Sequence, residues 1–486
     1  MLPYKSSKSK ITFLIPPPLD GKQPVERVFG CNYGIYPIPN IFALTAAALL
    51  RKEGYELIYL DGPVMKWKRD DLLSFLSKDD SRIYCLYTVN LAAETDMITL
   101  KYIREKRGDI PVIFMGPSPT YNPETFLLDE HTFAIRGEME ITLKELAEAV
   151  IKGNGKVDQI KGISYIRNGL LTHNPPRELL EELDTLPFPA RDLIDKNKYY
   201  NPKFGVRPVT AMITSRGCPH QCIYCVPNSQ SFARELEYKK VTSGKPPVRK
   251  RSVENIVEEF RLLKMEGYKA VSILDDQFVW GEERTVRICA EIKDLGIKWG
   301  CLARADYLNE RIVKALASAN CKFVDIGVES FDKKVLEYIK KGIEVESIKE
   351  AIQLLKKHKI TVKINVLIGA SPLETKESIL KNIKIIRELE PDGVMYGIAT
   401  PFPGTEFYEI AKREGWFIYS DYLPKDVRKK AIHRYPHLDE KELERLIRHA
   451  NFVFYLRPRF ILRNMGRILN PVEFYSASVS MIRKLF

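Results

Sequence analysis

Apolar residues in the first 150 positions alternate between two spacings. Short apolar runs of the kind that form buried strands recur in KITFLIPPP, YELIYLDGP, SRIYCLYTVN, IPVIFMGPSPT and TFAIRGE. Between them lie longer segments with apolar residues at helical spacing, such as PNIFALTAAALLRKEG, DMITLKYIREKRG and ITLKELAEAVIKG. Strands separated by helices of this length form βαβ units with right-handed crossovers. Residues 1–150 are therefore predicted to form a doubly wound, Rossmann-like parallel sheet.

The loops that follow these predicted strands have an unusual composition. They read PPP, DGP, TVN, GPSP and RGE, and so consist mainly of glycine, proline and small polar residues. Ligands of open parallel sheets bind where the strands end. Because glycine carries no side chain, such loops allow a large flat ligand to approach the backbone.

Residues 151–208 are predicted to be a linker. GISYIRNGLLTHNPPREL has the pattern of two short strands joined by a turn at Asn168 and Gly169. The segment LDTLPFPARDLI that follows is interrupted by proline and predicts an irregular connection.

From residue 209 the alternation of strands and helices resumes. The predicted strands are VTAMITSRG, AVSILDDQF, KWGCLARAD, FVDIGVES, TVKINVLIG and GVMYGIATPFPG. With helices such as ESIKEAIQLLKKHK between them, residues 209–408 are predicted to form a (β/α)6 partial TIM barrel. Polar residues that carry chemistry in barrels lie at the C-terminal ends of the strands. The candidates here are Asp275, Asp276, Arg304, Glu329 and Ser330.

The last region, residues 409–486, is predicted to be helical and basic. Its segment LERLIRHANFVFYLRPRFILRNMGRI mixes arginine with aromatic and aliphatic residues. One interpretation is a helical cap that packs on the barrel. The other is an amphipathic surface that contacts a membrane or a lipid-like substrate.

Length and charge narrow the class of protein without choosing a partner. The chain has 486 residues and a net charge of +13, which suits anionic partners such as nucleic acid, phosphate-bearing cofactors or anionic lipid. A solvated lysine-rich surface explains the charge equally well. The sequence does not begin with a signal peptide, and its longest apolar stretch is well short of the ~20 residues of a membrane span. We therefore expect a cytoplasmic protein, in which cysteines stay reduced.

Three cysteines are clustered in the segment ITSRGCPHQCIYCVPNS. Cys218, Cys222 and Cys225 have the spacing Cys-x3-Cys-x2-Cys, whereas the other cysteines are scattered singly. Soft thiolates bind zinc or iron–sulfur clusters, and a structural zinc site takes four ligands. His220 is the candidate fourth ligand, but one residue separates it from each neighbouring cysteine, which is not usual zinc spacing. On a [4Fe–4S] cluster, three cysteines would leave one iron open to a substrate or cofactor.

The motif CPHQCIYC, with Tyr224 before the last cysteine, resembles the motif of radical S-adenosylmethionine (SAM) enzymes. The resemblance implies that SAM binds the open iron of a [4Fe–4S] cluster through its amine and carboxylate. Reductive cleavage would then yield a 5′-deoxyadenosyl radical that abstracts hydrogen from an unactivated carbon. The cysteines Cys218, Cys222 and Cys225 are the implied cluster ligands.

The same resemblance suggests which residues contact SAM. Asp276, in the segment LDDQF, is placed near the methionyl amine. Arg304, Glu329 and Ser330 are placed on the carboxylate and ribose sides, since guanidinium suits a carboxylate and polar oxygens suit sugar hydroxyls. Tyr224 is expected to pack against the adenine or to shield the cluster.

Two further segments resemble one branch of this family, whose members carry an N-terminal cobalamin-binding domain. They are ATPFPGTEFY and MGPSPTYNPETFLLDEHTFAIRGEMEITLKEL. The branch includes cobalamin-dependent radical methylases, hopanoid methylases and the anaerobic magnesium-protoporphyrin cyclase. The resemblance implies that cobalamin is a cofactor and that its corrin is lined by Thr88, Gly116, Ser118, Gly137 and Glu138.

The chain departs from the branch pattern at three points. Met115 and Met139 replace two of its glycines, and the Asp-x-His-x-x-Gly motif that supplies a histidine to cobalt is absent. No histidine precedes His131. Cobalamin is therefore expected to bind without a protein histidine, the alternative being a domain that keeps the fold and has lost the cofactor.

The sequence thus predicts cobalamin-dependent methyl transfer to an unactivated carbon of a small-molecule or lipid substrate, with a reductant such as ferredoxin or flavodoxin. Cyclisation, ring formation or C–C coupling on a lipid or tetrapyrrole-like substrate is the alternative within the class. RNA modification would suit the charge, but Cys31 and Cys85 are too few for the second cluster that such enzymes carry, so nucleic acid is not expected. A metal-binding interaction module, which is not an enzyme, predicts a fourth ligand.

Overall fold

The computed structural model describes residues 9–19, 24–28, 33, 36–153, 156–226, 229–242, 244–419 and 430–462. The chain forms two compact units. The first comprises Met1–Tyr200, Arg207–Cys218 and Pro227–Ser252, and the second comprises Asn201–Val206, Pro219–Val226 and Val253–Phe486. The predicted boundaries at residues 150, 208 and 408 remain a prediction.

The first sheet has seven strands within the described residues, in the order β2-β1-β3-β4-β5-β6-β7. The strands are β1 (Lys10–Ile15), β2 (Glu56–Asp61), β3 (Ile83–Tyr87), β4 (Val112–Met115), β5 (Thr132–Ile135), β6 (Ile163–Arg167) and β7 (Leu170–His173). The pairings from β2 to β5 are parallel, as the βαβ pattern predicts. The predicted hairpin at Asn168 and Gly169 is confirmed, and it extends this sheet in antiparallel sense instead of standing apart as a linker.

Helices fill the crossovers of the first sheet. They are α1 (Ile41–Lys52), α2 (Gly62–Met65), α3 (Arg69–Lys78), α4 (Ala93–Arg107), α5 (Pro117–Tyr121) and α6 (Glu140–Lys152). The Asn40 side chain caps α1 by accepting a hydrogen bond from the Ala43 N–H at 3.2 Å, and Arg51 and Lys52 lie in its last turn, where cations complement the helix dipole. The apolar residues of β1, β3 and β4 are buried, so the core lies on both faces of these central strands.

The second large sheet has six strands within the described residues, in the order β15-β14-β13-β12-β11-β8. They are β8 (Val209–Met212), β11 (Ala270–Ile273), β12 (Lys298–Ala303), β13 (Cys321–Glu329), β14 (Thr361–Ile368) and β15 (Gly393–Ile398). Successive strands are neighbours, and the pairings from β11 to β15 are parallel, which is the order of a (β/α)6 partial barrel. A short antiparallel pair, β9 (Ser215–Arg216) and β10 (Arg249–Lys250), lies in the first unit.

Amphipathic helices follow the barrel strands. They are α7 (Ser229–Val241), α8 (Val253–Met265), α9 (Glu282–Ile292), α10 (Glu310–Ser318), α11 (Lys333–Tyr338), α12 (Val345–Lys357), α13 (Lys376–Leu389), α14 (Glu406–Arg413) and α15 (Glu440–Tyr455). Their starts follow the polar signals in the sequence. Asn309 caps α10 through the Ile312 N–H at 2.9 Å, and Thr375 with Ser378 forms a capping box at α13.

The described part of the C-terminal region packs on the barrel. The buried face of α15 lies against β15, where the Tyr455 hydroxyl accepts a hydrogen bond from the Val394 N–H at 3.3 Å. Arg457 stacks on the Phe454 ring at 4.1 Å. This agrees with the helical-cap interpretation, although residues 420–429 and 463–486 lie outside the described residues. Among the helices that the structure describes, none combines the length and the apolarity needed to cross a bilayer.

Candidate active site

The three clustered cysteines follow the first barrel strand, as predicted. Cys218, Cys222 and Cys225 form no disulfide bonds, and each is half-buried. The Cys225 N–H donates to the Cys222 carbonyl at 3.2 Å, which makes a tight turn. Ile223 inside this turn is buried, and its backbone bonds to the Ile339 carbonyl at 3.1 Å and to the Phe407 N–H at 2.9 Å. The second half of the motif is therefore fixed to the barrel by the residue between two cysteines.

His220 lies in the same loop but packs against an aromatic ring. Its imidazole meets Tyr307 edge-on with ring centroids 5.9 Å apart, and the Tyr307 hydroxyl is 3.4 Å from Nε2. In the part of the chain that the structure describes, no three His, Cys, Asp or Glu side chains are grouped as ligands of a single metal ion. Thiolates that each bind a different iron of a cubane do not need that grouping.

The other described cysteines are buried. Cys85, Cys289, Cys301 and Cys321 are each at most 4% exposed. Burial raises the pKa of the Cys85 and Cys289 thiols well above the ordinary value. Buried thiols with a raised pKa are poor ligands and nucleophiles. The burial of Cys301 and Cys321 places both side chains in the core.

Two buried charged residues and the half-buried Tyr224 meet at the end of β13. The Tyr224 hydroxyl hydrogen-bonds to Glu329, and Lys341 Nζ donates to Glu329 Oε1 at 2.9 Å. Burial raises the pKa of Tyr224, and the adjacent Glu329 carboxylate adds to the rise. Burial opposes a charge on Lys341, but the Glu329 carboxylate and the Cys222 thiol outweigh it and raise its pKa. Lys341 was not predicted from the sequence.

The backbone around Glu329 is shaped for this contact. The pairing of β13 with β14 shifts register between Gly327 and Glu329, and Glu329 has a positive φ of 63°. A side chain at Gly327 would bring Cβ to 2.7 Å from Glu329 Oε1 and 3.0 Å from Lys341 Nζ. Glycine therefore leaves the space in which the ion pair forms.

Arg304, directly after β12, is buried and bonded to the protein. Its guanidinium forms a two-pronged contact with Asp306 at 2.9 and 3.1 Å. It also donates to the backbone carbonyls of Lys341 and Gly342 at 3.0 and 3.1 Å. These bonds tie the end of β12 to the segment that carries Lys341. The predicted contact of Arg304 with the SAM carboxylate stays a prediction.

Asp276 and Ser330 occupy the same end of the barrel strands. Asp276 is half-buried in the loop after β11. Ser330 is fully buried, and its hydroxyl accepts from Asn382 Nδ2 at 2.9 Å and from the Asp332 N–H at 3.1 Å. Because β11, β12 and β13 are adjacent, the structure brings Asp276, Arg304 and Glu329 to one edge.

The residues predicted to line the corrin follow three adjacent strands of the first sheet. Thr88 follows β3, Gly116 follows β4, and Gly137 lies just after β5. Gly116 has a φ of 111°, and a Cβ there would lie 2.6 Å from the Thr88 carbonyl oxygen. Ser118 is buried, with its N–H 3.4 Å from the same carbonyl. Only glycine permits this close approach of the two loops.

Side-chain hydrogen bonds connect the loops after β3, β4 and β5 to one another and to the protein interior. The Thr120 hydroxyl donates to the Gly116 carbonyl at 2.7 Å and accepts from the Gly137 N–H at 3.1 Å. The Thr88 hydroxyl donates to Asp96 at 2.7 Å, and Arg27 pairs with the same buried carboxylate at 2.5 Å. The loops after β3, β4 and β5 therefore form one bonded edge.

Asp61 at the end of β2 is a titratable residue on this edge that sequence reasoning missed. It accepts from the Val64 N–H at 3.3 Å and from the Tyr199 hydroxyl at 3.2 Å. Burial raises its pKa to about 7, although both hydrogen bonds oppose the rise. The available signal was an acid ending an otherwise apolar strand.

Glu138 has contacts that the sequence did not predict. Its carboxylate accepts from Arg216 at 3.0 Å, from Arg249 at 2.5 and 3.1 Å, and from the Leu180 N–H at 2.9 Å. Burial opposes its charge, but Arg216 and Arg249 outweigh it and lower the pKa of Glu138 to about 2. Both oxygens that were expected to face the corrin therefore have donors within the protein, and a corrin contact stays a prediction.

Comparison with known proteins agrees with this geometry. Residues 212–371 match the family model of the Radical SAM superfamily. The chain is 30% identical over 468 residues to Uncharacterized methyltransferase PH0819 of Pyrococcus horikoshii, which covers 94% of each chain. It is 24% identical to the anaerobic magnesium-protoporphyrin IX monomethyl ester cyclase of Rubrivivax gelatinosus, over 79% of this chain and 68% of the relative.

A solved structure shares the fold over most of the length. The radical S-adenosylmethionine methyltransferase TsrM from Kitasatospora setae, solved with cobalamin and a [4Fe–4S] cluster, aligns with a TM-score of 0.64 at 17% identity. The alignment covers 91% of this chain and 82% of that one. Together with the cysteine motif and the two sheets, the sequence relatives identify the family. The chain belongs to the radical SAM enzymes, in the branch with an N-terminal cobalamin-binding domain.

Proposed function

We propose that this radical SAM enzyme is a cobalamin-dependent methyltransferase that acts on an unactivated carbon. The observation that carries the proposal is the relative named as a methyltransferase, which matches over 94% of the chain. When bound, the [4Fe–4S] cluster would supply the electron that cleaves SAM, and cobalamin would carry the methyl group. The residues of this chain bind, orient and shield these groups.

Cys218, Cys222 and Cys225 are proposed to hold the cluster. Their chemistry fits, because three cysteines that form no disulfide bonds lie in one segment and soft thiolates are the ligands of iron–sulfur clusters. They are half-buried, so a small molecule can reach the iron that has no protein ligand. The buried Ile223 keeps the turn between Cys222 and Cys225 rigid.

The edge formed by Asp276, Arg304, Glu329 and Ser330 is proposed to hold SAM. Glu329 is the strongest candidate for the ribose hydroxyls, since Tyr224 and Lys341 fix its carboxylate beside the cysteine loop. Asp276 is only half-buried and is proposed to meet the amine. Arg304 and Ser330 have protein partners, so their support for the site includes positioning the strand ends.

The edge of the first sheet fits a large flat cofactor. Gly116 and Gly137 have positive φ in the loops after β4 and β5. A Cβ would lie 2.6 Å from the Thr88 carbonyl oxygen at Gly116 and 3.3 Å from the Glu237 side chain at Gly137, so glycine keeps both loops compact. Thr88, Ser118 and Glu138 complete the predicted set. No histidine precedes His131, which lies directly before β5 at the opposite end of the strand. We propose that cobalamin binds here without a protein histidine.

A cyclisation reaction is the second candidate. The observation that favours it is the relative named as a magnesium-protoporphyrin cyclase, which matches over 79% of the chain. The two candidates share the cluster and SAM. They differ in whether the methyl group of SAM is transferred, and that difference separates them experimentally.

Chemistry of this class requires a one-electron reductant and a small-molecule substrate. We propose ferredoxin or flavodoxin as the reductant.

A lipid substrate and membrane contact through the C-terminal region stay predictions. Their support is the exposure of Phe452 and Leu462, which are 59% and 64% exposed. The positive charges of Arg445 and Arg448 on α15 are paired with the carboxylates of Glu442 and Glu444. These two arginines therefore add little net positive charge for attracting anionic lipid.

Anaerobic purification followed by iron, sulfide and product analysis tests the proposal. We expect an iron–sulfur cluster, formation of 5′-deoxyadenosine under reducing conditions, and a saturable absorbance change on titration with hydroxocobalamin. Zinc in place of iron, with SAM left intact, would overturn the assignment. If the iron–sulfur cluster forms and SAM is cleaved but the absorbance does not change on titration with hydroxocobalamin, only the proposal that cobalamin binds would be overturned.

A further inference from the structure

The loop after β5 is bonded to the strand that leads into Cys218. Arg216, two residues before Cys218, donates to Glu138 at 3.0 Å and to Glu140 at 2.5 Å. All three side chains are at most 8% exposed. One guanidinium therefore bridges a carboxylate of the loop after β5 and the carboxylate that begins α6, away from water that would weaken the contact.

A second arginine on the neighbouring strand completes the attachment. Arg249 on β10 pairs in register with Arg216 on β9. Its guanidinium contacts both oxygens of Glu138, at 2.5 and 3.1 Å. Two arginines on adjacent strands thus share one carboxylate. The short β9–β10 pair, which has only two residues in each strand, is fixed through that carboxylate.

Gly217 brings a third arginine next to the first cysteine. Gly217 has a φ of 104°, and a Cβ there would lie 2.8 Å from Nη2 of Arg234. Arg234 is 2% exposed, and its Nη1 is 3.9 Å from Glu138. The guanidinium of Arg234 therefore packs against the backbone that precedes Cys218. The contacts thus give a structural reason for two residues that precede Cys218. Arg216 bonds to the loop after β5, and Gly217 leaves room for Arg234 of α7.

This arrangement gives buried cationic partners to Glu138 in the loop after β5 and to Glu140 at the start of α6. Three buried arginines with no carboxylate nearby would be costly, since isolated buried charges are strongly unfavourable. Glu138 and Glu140 place two carboxylates beside these three cations, and their bonds to Arg216 set the direction of the chain into Cys218. Groups one step removed from a metal ligand fix its orientation and tune the metal.

We propose that Glu138 and Glu140 are positioning residues for the iron–sulfur cluster, acting through Arg216 on the backbone that carries Cys218. Where the loop after β5 also holds cobalamin, the same contacts couple the two cofactors. That coupling rests on the proposed function, whereas the positioning role does not. In this proposal Glu138 holds the segment that leads into Cys218, and this role accounts for the buried carboxylate without a corrin contact.

The test compares Glu138→Gln, Glu140→Gln and a matched control, Glu145→Gln. Glu145 is an acid of the same helix as Glu140 that pairs with Arg177 and makes no contact with Arg216. The reconstituted proteins are challenged with an iron chelator, and the midpoint potential and electron paramagnetic resonance of the reduced cluster are recorded. We expect Glu138→Gln and Glu140→Gln to lose iron roughly tenfold faster and to shift both spectrum and potential. Glu145→Gln should behave as the wild type.

A second variant and a second ligand keep the outcome decisive. Arg216→Lys retains the cation but cannot bridge two carboxylates, so it should lose iron as fast as Glu140→Gln, while circular dichroism confirms the fold. Hydroxocobalamin is titrated into each protein. If Glu138→Gln weakens only hydroxocobalamin binding and leaves iron loss, potential and spectrum unchanged, the positioning role is overturned. If hydroxocobalamin never binds but the cluster changes as expected, the cobalamin assignment fails and the positioning role stands.

Discussion

Glu138 and Glu329 are both buried acids at strand ends, yet their surroundings differ. Glu138 lies in the first unit, and arginines and a backbone N–H take up both of its oxygens. Glu329 lies in the second unit, where one lysine and one tyrosine contact it next to the cysteine loop. An acid at a strand end can therefore either hold a neighbouring segment in place or form part of a cofactor-binding site. The partners that reach it from distant parts of the chain decide which.

The largest effect is expected from the cysteine loop beside Glu329. Cys222→Ala removes one of three cluster ligands, so iron content and 5′-deoxyadenosine formation should fall to background. Anaerobic iron analysis and product chromatography measure both. Cys289→Ala is the control, because Cys289 is buried on α9 outside the motif and its loss should leave the iron content unchanged. Equal iron in the two variants would contradict the assignment.

The next effect concerns the ion pair that distinguishes Glu329. Lys341→Met leaves a buried carboxylate without its cation, and breaking such a pair costs about 3–5 kcal/mol. Urea unfolding should show this loss, and SAM binding should weaken about tenfold by calorimetry. The neighbouring Lys340 is about half exposed and pairs with Glu406, so Lys340→Met should cost at most ~1 kcal/mol. Similar costs for both variants would mean that burial of the Glu329 pair has no energetic role.

A smaller effect is expected where glycine makes room for Glu329. Gly327→Ala places a methyl group 2.7 Å from Glu329 Oε1 and should cost roughly 1–3 kcal/mol of unfolding free energy, as overpacking does. Gly397→Ala is the control, because its Cβ would meet Leu367 at an ordinary 3.6 Å. Urea unfolding of the two variants is the measurement. A Gly397→Ala protein less stable than Gly327→Ala would refute the steric argument.

A pH-dependent effect is expected in the first sheet, where Asp61 is buried with a pKa of about 7. Between about pH 4 and pH 7 the native carboxyl keeps a proton that the unfolded carboxyl has released. Stability contributed by this group is therefore lost as the pH rises through that window. Asp61→Asn should flatten the fall in unfolding temperature between pH 5 and pH 8. Parallel pH profiles for the two proteins would contradict the raised pKa.

Most of the fold could be predicted because its signals are local. The strands β1 to β5 and five of the six barrel strands lie within the segments predicted from apolar spacing, and β13 begins two residues before its segment. The hairpin at residues 168 and 169 was read from its turn. Its addition to the first sheet could not be read, since pairing of β5 with β6 depends on residues far apart in sequence rather than on a local pattern.

The site could be predicted only in part, for the same reason. The cysteines form a local motif with a chemical meaning of its own. Lys341 reaches Glu329 across 12 positions, and Arg249 reaches Glu138 across 111. Such contacts leave no periodic trace in the sequence. The resemblance named Glu138 and Glu329 alike as cofactor contacts, and only the structure separates their surroundings.

Transfer of the SAM methyl group tests the central claim most directly, and it needs no knowledge of the substrate. The reconstituted protein is incubated anaerobically with hydroxocobalamin, a low-potential reductant and SAM labelled in its methyl group. The account predicts that label moves from SAM into the corrin fraction. Cleavage of SAM to 5′-deoxyadenosine with all label left on methionine, and none in the corrin fraction, would contradict a methyltransferase and favour the cyclase-like reaction.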